Sequence, residues 1–82
     1  MRPEHPIALI TGAASDFGEA TARLLAAQGY HLAMGARRIE RLQTLAVELS
    51  KINGVKTFVL ELDIRSDSSV AAFTEGAVEA LV

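Results

Sequence analysis

Between Ile7 and Gly18 the chain reads Ile-Ala-Leu-Ile-Thr-Gly-Ala-Ala-Ser-Asp-Phe-Gly, an apolar run broken at Thr11-Gly12 and followed by helix-forming sequence. The run has the length and β-branched content of a buried strand, so the stretch predicts strand, tight loop, helix. This order constrains the chain more than any other feature. The first turn of a helix leaves backbone N–H groups without internal partners, and the helix dipole is positive at that end, so the loop is a ready anion site. Gly12 lets the backbone bend and approach a phosphate with no Cβ in the way, and Gly18 lets the helix lie close on a sheet. The anion that this geometry suits is the pyrophosphate of a nucleotide cofactor. No Gly-Lys-Ser/Thr follows, which excludes a P-loop NTPase.

The remaining segments repeat the pattern. Ala-, Leu- and Arg-rich sequence from Phe17 to Gln28 predicts a helix that Gly29 stops, with Phe17, Ala20, Leu24 and Gln28 on the face turned to the sheet. A carboxylate at the entry of this helix, Asp16, suits an N-cap. Tyr30 to Gly35 reads as a second strand, and Gly35-Ala36-Arg37-Arg38 as the turn after it. Ile39, Leu42, Leu45, Ala46, Leu49 and Ile52 recur at helical spacing up to Asn53-Gly54. Lys56 to Leu62 is a third strand. Ser66 suits the N-cap of a last helix whose buried stripe is Val70, Phe73, Ala77 and Leu81. With short connections and no repeat or linker, the β-α-β-α-β-α order implies α/β architecture with a parallel sheet. Right-handed crossovers place the three strands in spatial order 3-2-1, one half of a Rossmann fold.

Half a Rossmann fold leaves one edge of the first strand bare, with unpaired backbone groups along an apolar strand. A chain of 82 residues also removes only about 60–65% of its unfolded surface from water. The expectation is that the chain by itself is poorly stable, pairs with itself, or is part of a longer protein. Its net charge of −2 provides no broad basic surface for nucleic acid. Cysteine is absent, which removes disulfides, thiolate metal sites and a cysteine nucleophile and accords with a cytoplasmic protein. The proline-bracketed arm before Ile7, expected to be mobile, lacks the apolar core of a signal peptide, and no run reaches the ~18–20 apolar residues of a membrane span. His5 and His31 have no metal-ligand spacing and are assigned no role.

The end of the second strand bears on which dinucleotide is bound. Rossmann sites for NAD place Asp or Glu there to hold the ribose hydroxyls, whereas NADP sites have a small residue and an arginine. Ala36 followed by Arg37 and Arg38 matches the second pattern, since a guanidinium grips a 2′-phosphate in bidentate fashion. NADP(H) is therefore favoured over NAD(H). The plainer alternative is a pair of solvated arginines opening a helix. Ser15 has two readings as well, a hydroxyl donor to phosphate or a helix cap.

Thr11-Gly12-Ala13-Ala14-Ser15-Asp16-Phe17-Gly18 resembles the Thr-Gly-x-x-x-Gly-x-Gly loop of the short-chain dehydrogenase/reductase family, with Asp16 standing where the family's middle glycine is. The resemblance implies a pyrophosphate near Gly12 and Phe17. Leu62-Asp63-Ile64 resembles the family's Asp-Val/Ile step, which implies that Asp63 meets the adenine amino group and that Ile64 lines the adenine pocket. A turn-forming Asp63 is the alternative. The family's catalytic Tyr-x-x-x-Lys is not found in these residues: Tyr30 is the sole tyrosine, Met34 stands four residues on, and the lysines are Lys51 and Lys56. By resemblance, residues 1–82 are the NADP-binding N-terminal part of a longer oxidoreductase. That protein would transfer hydride between NADPH and a carbonyl or alcohol and assemble as a homo-oligomer. Two other expectations stand beside it, a non-catalytic nucleotide-binding module completed by another chain and a ligand-free remnant.

Overall fold

The computed structural model describes residues 6–12 and 15–82, so the arm with His5 and the loop positions Ala13 and Ala14 lie outside the described residues. Three strands and three helices alternate: β1 (Ile7–Thr11), α1 (Asp16–Ala27), β2 (His31–Ala36), α2 (Glu40–Asn53), β3 (Thr57–Glu61) and α3 (Asp67–Leu81). Both strand pairs are parallel, with β2 between β1 and β3, which is the expected 3-2-1 order. In register, Ile10 stands beside Met34 and Met34 beside Val59.

Side chains alternate across β2 because successive residues of a strand point to opposite faces. Leu32, Met34 and Ala36 enter a core shared with α1 and α2, formed with Ile10, Ala22, Leu42 and Leu49 among others. Ala33 enters the opposite core with Leu62, Phe73, Ala77 and Leu81, so α3 covers the second face. All six residues of β2 are buried, as expected of a central parallel strand. On the face that α3 covers, Ile7 and Leu9 of β1 remain exposed, because α3 lies over β2 and β3.

Helix ends follow local chemistry. Gly29 and Gly54 follow α1 and α2 in the left-handed region, with φ of 90° and 68°. Ser66 caps α3 by accepting the Ser69 N–H. Three expectations are corrected here. The N-cap of α1 is Ser15, whose Oγ accepts the Gly18 N–H at 3.1 Å, and Asp16 is already the first helical residue. The face of α1 on the sheet is Gly18, Ala22 and Ala26, while Phe17 is 83% and Leu24 60% exposed. Small residues win that face because only they let the helix approach closely enough for Leu32 and Met34 to fill the space between. Finally, Val70 and Ile52 fall at the exposed margins of their helices, and the buried stripes begin at Phe73 in α3 and end at Leu49 in α2.

His31 is buried, and its Nδ1 accepts the Lys56 N–H at 2.9 Å, so the imidazole bridges the entries of β2 and β3. That is a structural use, far from the carboxyl ends of the strands.

Candidate functional site

All three strands run the same way, so their carboxyl ends open at one edge of the sheet, where ligands of such folds bind. Backbone hydrogen bonds extend the ladder slightly past each strand and tie the three exits together. Gly12 N–H donates to the Gly35 carbonyl at 3.0 Å, and Leu62 N–H to the Ala36 carbonyl at 2.8 Å. Above these bonds lies a cleft of about 590 Å³ whose polar wall includes Gly12, Ser15, Arg37, Arg38, Asp63 and Arg65, with Ile64 and Leu62 as its apolar side.

The β1 exit is a built turn. Gly12 has φ of 67°, a conformation that glycine adopts without the cost borne by other residues. Ser15 N–H and Ser15 Oγ–H both donate to the Gly12 carbonyl, at 3.1 and 2.9 Å. With its oxygen also accepting the Gly18 N–H, the Ser15 hydroxyl is occupied as donor and as acceptor in the cap. Asp16, Phe17 and Gly18 do not line the cleft. Gly18 is buried against the sheet, Phe17 faces away, and the exposed Asp16 carboxylate lies 3.6 Å from Arg41 Nη2, which also pairs with Glu19 at 3.4 Å.

At the β2 exit, the buried Ala36 is followed by the exposed Arg37 and Arg38, both on the cleft wall. Among the described residues neither guanidinium is held in a hydrogen bond or ion pair, which leaves both able to meet a ligand. At the β3 exit, Asp63 stands half-buried and Ile64 is exposed. Ser69 Oγ accepts the Asp63 N–H at 3.0 Å and fixes the start of the turn. The Asp63 carboxylate is held by Arg65: Oδ1 accepts the Arg65 backbone N–H at 3.0 Å and Nε–H at 3.1 Å, and Oδ2 accepts Nη2–H at 3.3 Å. These bonds, and at longer range the Arg37 charge, hold the Asp63 carboxyl below the usual carboxylate range, and the Arg65 guanidinium is pushed up in turn.

Six residues singled out in the sequence, Gly12, Ser15, Arg37, Arg38, Asp63 and Ile64, thus share one cleft, and three, Asp16, Phe17 and Gly18, lie outside it. Arg65 was not singled out. The signal for it was positional, since it follows a parallel strand by a few residues and so emerges at the same edge.

The cleft gathers cationic, acidic and apolar groups at one edge of the sheet. Two unpaired guanidiniums suit phosphate, a carboxylate acceptor suits an amino group, and the left-handed glycine keeps the loop open to close approach. Among the described residues no helix is long and apolar enough to cross a membrane.

Comparison with known proteins gives matches along nearly the whole chain. The family model for short chain dehydrogenase matches residues 6–82. Sulfoacetaldehyde reductase 2 of Chromohalobacter salexigens is 46% identical over 74 residues, which are 90% of this chain and 29% of that protein. An alcohol dehydrogenase from the archaeon Thermococcus sibiricus, solved with 5-hydroxy-NADP, superimposes with a TM-score of 0.88 and 45% identity over 93% of this chain and 32% of its own. L-sorbose reductase of Gluconobacter frateurii, solved with NADPH and L-sorbose, superimposes with a TM-score of 0.85 and 30% identity over 93% of this chain and 29% of its own. The chain spans less than a third of the length of each.

Proposed function

The chain belongs to the short-chain dehydrogenase family of oxidoreductases, and we propose that residues 1–82 form its NADP(H)-binding part. The observation that carries this reading is the β2 exit. A small residue, Ala36, stands where a carboxylate would hold the ribose of NAD, and two free guanidiniums follow it on the wall of a cleft that Gly12 and Asp63 also line. In this reading Gly12 lets the pyrophosphate approach the loop, with Phe17 and Gly18 shaping the helix that starts there. Arg37 and Arg38 hold the 2′-phosphate, Asp63 accepts from the adenine amino group, and Ile64 packs on the base. Ser15 acts through the backbone as the cap, and Asp16 stays beside Arg41, away from the phosphates. The two neighbours solved with NADP-type cofactors support the choice of dinucleotide.

When bound, the nicotinamide supplies or accepts hydride, and in the complete protein the partner is a carbonyl or an alcohol. Residues 1–82 bind and orient the adenosine end of the cofactor, and no residue among them is assigned to the hydride step.

The test is a titration of the chain with NADPH and with NADH, followed by nicotinamide fluorescence, for the unaltered chain and for the double variant Arg37→Ala/Arg38→Ala. Two lost charge-assisted contacts weaken NADPH by about a hundredfold and leave NADH within about twofold. Equal losses for the two dinucleotides would refute the 2′-phosphate assignment.

A further inference from the structure

A carboxylate has about four lone-pair sites, and Arg65 fills three of those on Asp63. Oδ1 takes two N–H bonds, at 3.0 and 3.1 Å, and Oδ2 takes one, at 3.3 Å. Among the described residues nothing else donates to the carboxylate, which leaves one acceptor site, on Oδ2. Arg65 also lines the same cleft as Asp63, so the pair is presented to a ligand as one unit. The turn that carries it is stiff, because Ser69 Oγ accepts the Asp63 N–H and the Ser66 N–H donates to the Asp63 carbonyl at 3.0 Å.

We infer that Arg65 is a positioning residue for base selection: by occupying three acceptor sites of Asp63 it presents the single remaining one to the cleft, where it accepts from a 6-amino purine and repels a 6-oxo purine. The inference rests on the reading of the cleft as a dinucleotide site and adds to it the means by which the base is chosen. An Asp63 released from Arg65 rotates and offers either oxygen to water or to a ring N–H, so it distinguishes the two bases poorly. The charged groups facing Asp63 are Arg65 from its own turn and Arg37 from the β2 exit. Both favour the ionised acceptor, but among the described residues only Arg65 is hydrogen-bonded to it and so fixes its orientation.

The experiment compares NADPH with its reduced hypoxanthine analogue, in which a 6-oxo group replaces the 6-amino group. Both are titrated against the unaltered chain, Arg65→Ala and Arg65→Lys, with circular dichroism to establish that each variant is folded. The unaltered chain prefers NADPH by about tenfold, the value of one hydrogen bond to a charged group. Arg65→Ala narrows the preference to within about twofold. Arg65→Lys keeps the charge without the planar fork and narrows it as well. Carboxyl NMR of the ligand-free chain gives a readout that needs no cofactor, and the Asp63 midpoint rises in Arg65→Ala. An unchanged midpoint, or an undiminished preference in Arg65→Ala, would overturn the role of Arg65 and leave the dinucleotide reading standing. Failure of the unaltered chain to bind either compound would overturn the dinucleotide reading and this inference together.

Discussion

Gly35 sits where the fold and the cleft depend on the same few atoms, and replacing it with alanine tests both. A Cβ built on Gly35 meets Leu62 Cβ at 2.8 Å, Leu62 Cδ2 at 2.9 Å and Phe73 Cε1 at 3.0 Å. A rotamer change moves Cδ2 away but cannot move Leu62 Cβ, which is fixed to the β3 exit. The ring of Phe73 is equally constrained, being buried in the core under α3 and 6.0 Å from Phe58 between ring centroids. Relief therefore requires β2 and the β3 exit to separate by several tenths of an ångström. Overpacking of this kind costs about 1–3 kcal/mol. Against it stands the loss of glycine's unfolded-state freedom, about 0.5–1 kcal/mol in favour of alanine. The net expectation is destabilisation by about 1–2 kcal/mol, or roughly 5–15 °C in Tm for a domain of this size. Thermal and urea unfolding followed by circular dichroism measure it. Because the Gly35 carbonyl holds the Gly12 N–H and Leu62 precedes Asp63, NADPH affinity falls in the same variant. A Gly35→Ala chain as stable as the original would refute the claim that close approach at this point, rather than chance, places a glycine in β2.

Two further perturbations isolate single interactions. Ser15→Ala removes the cap from α1 and lowers stability by about 1 kcal/mol, whereas Ser15→Asp, which still accepts the Gly18 N–H, recovers most of it in the same denaturation assay. Because the folded state holds Asp63 below its ordinary pKa, the Asp63–Arg65 pair contributes stability fully above the unfolded value and loses it as pH falls through the lowered folded value. Denaturation midpoints across the acid range accordingly decline less steeply for Arg65→Ala than for the unaltered chain, and parallel curves would show that the pair does not affect folding.

The alternation of strands and helices was legible because hydrophobic period reports it directly. The all-apolar core of β2 and the stripe Leu42, Leu45, Ala46, Leu49 of α2 leave little choice of structure. The orientation of α1 was not legible on the same grounds. Hydrophobicity ranks Phe17 and Leu24 above Gly18, Ala22 and Ala26, but burial here is decided by size, and the three small residues are the ones that let the helix reach the sheet. The sequence leaves the cap open between two neighbours, Ser15 and Asp16, for a related reason. Ser and Asp both cap well, and only the backbone path shows that Ser15 still has extended geometry, φ −76° and ψ 159°, while Asp16 has entered the helix.

The residues of the cleft obey a rule simpler than any motif. In a parallel sheet every strand delivers its following loop to the same edge, so proximity to a strand's last residue decides which side chains meet. β1 ends at Thr11, and the lining residues it supplies run to Ser15. β2 ends at Ala36 and supplies Arg37 and Arg38. β3 ends at Glu61, and its contribution runs to Arg65. Among the described residues no lining residue lies more than four positions past its strand. Asp16, Phe17 and Gly18 lie beyond that limit and are carried off by α1, so the described cleft wall takes Gly12 and Ser15 from the loop motif. Arg65 lies within it and belongs to no motif. The same rule explains how one cleft can be assembled from two crossovers alone: topology gathers the groups first, and in the proposed reading the chemistry of Arg37, Arg38, Asp63 and Arg65 then decides which dinucleotide they admit.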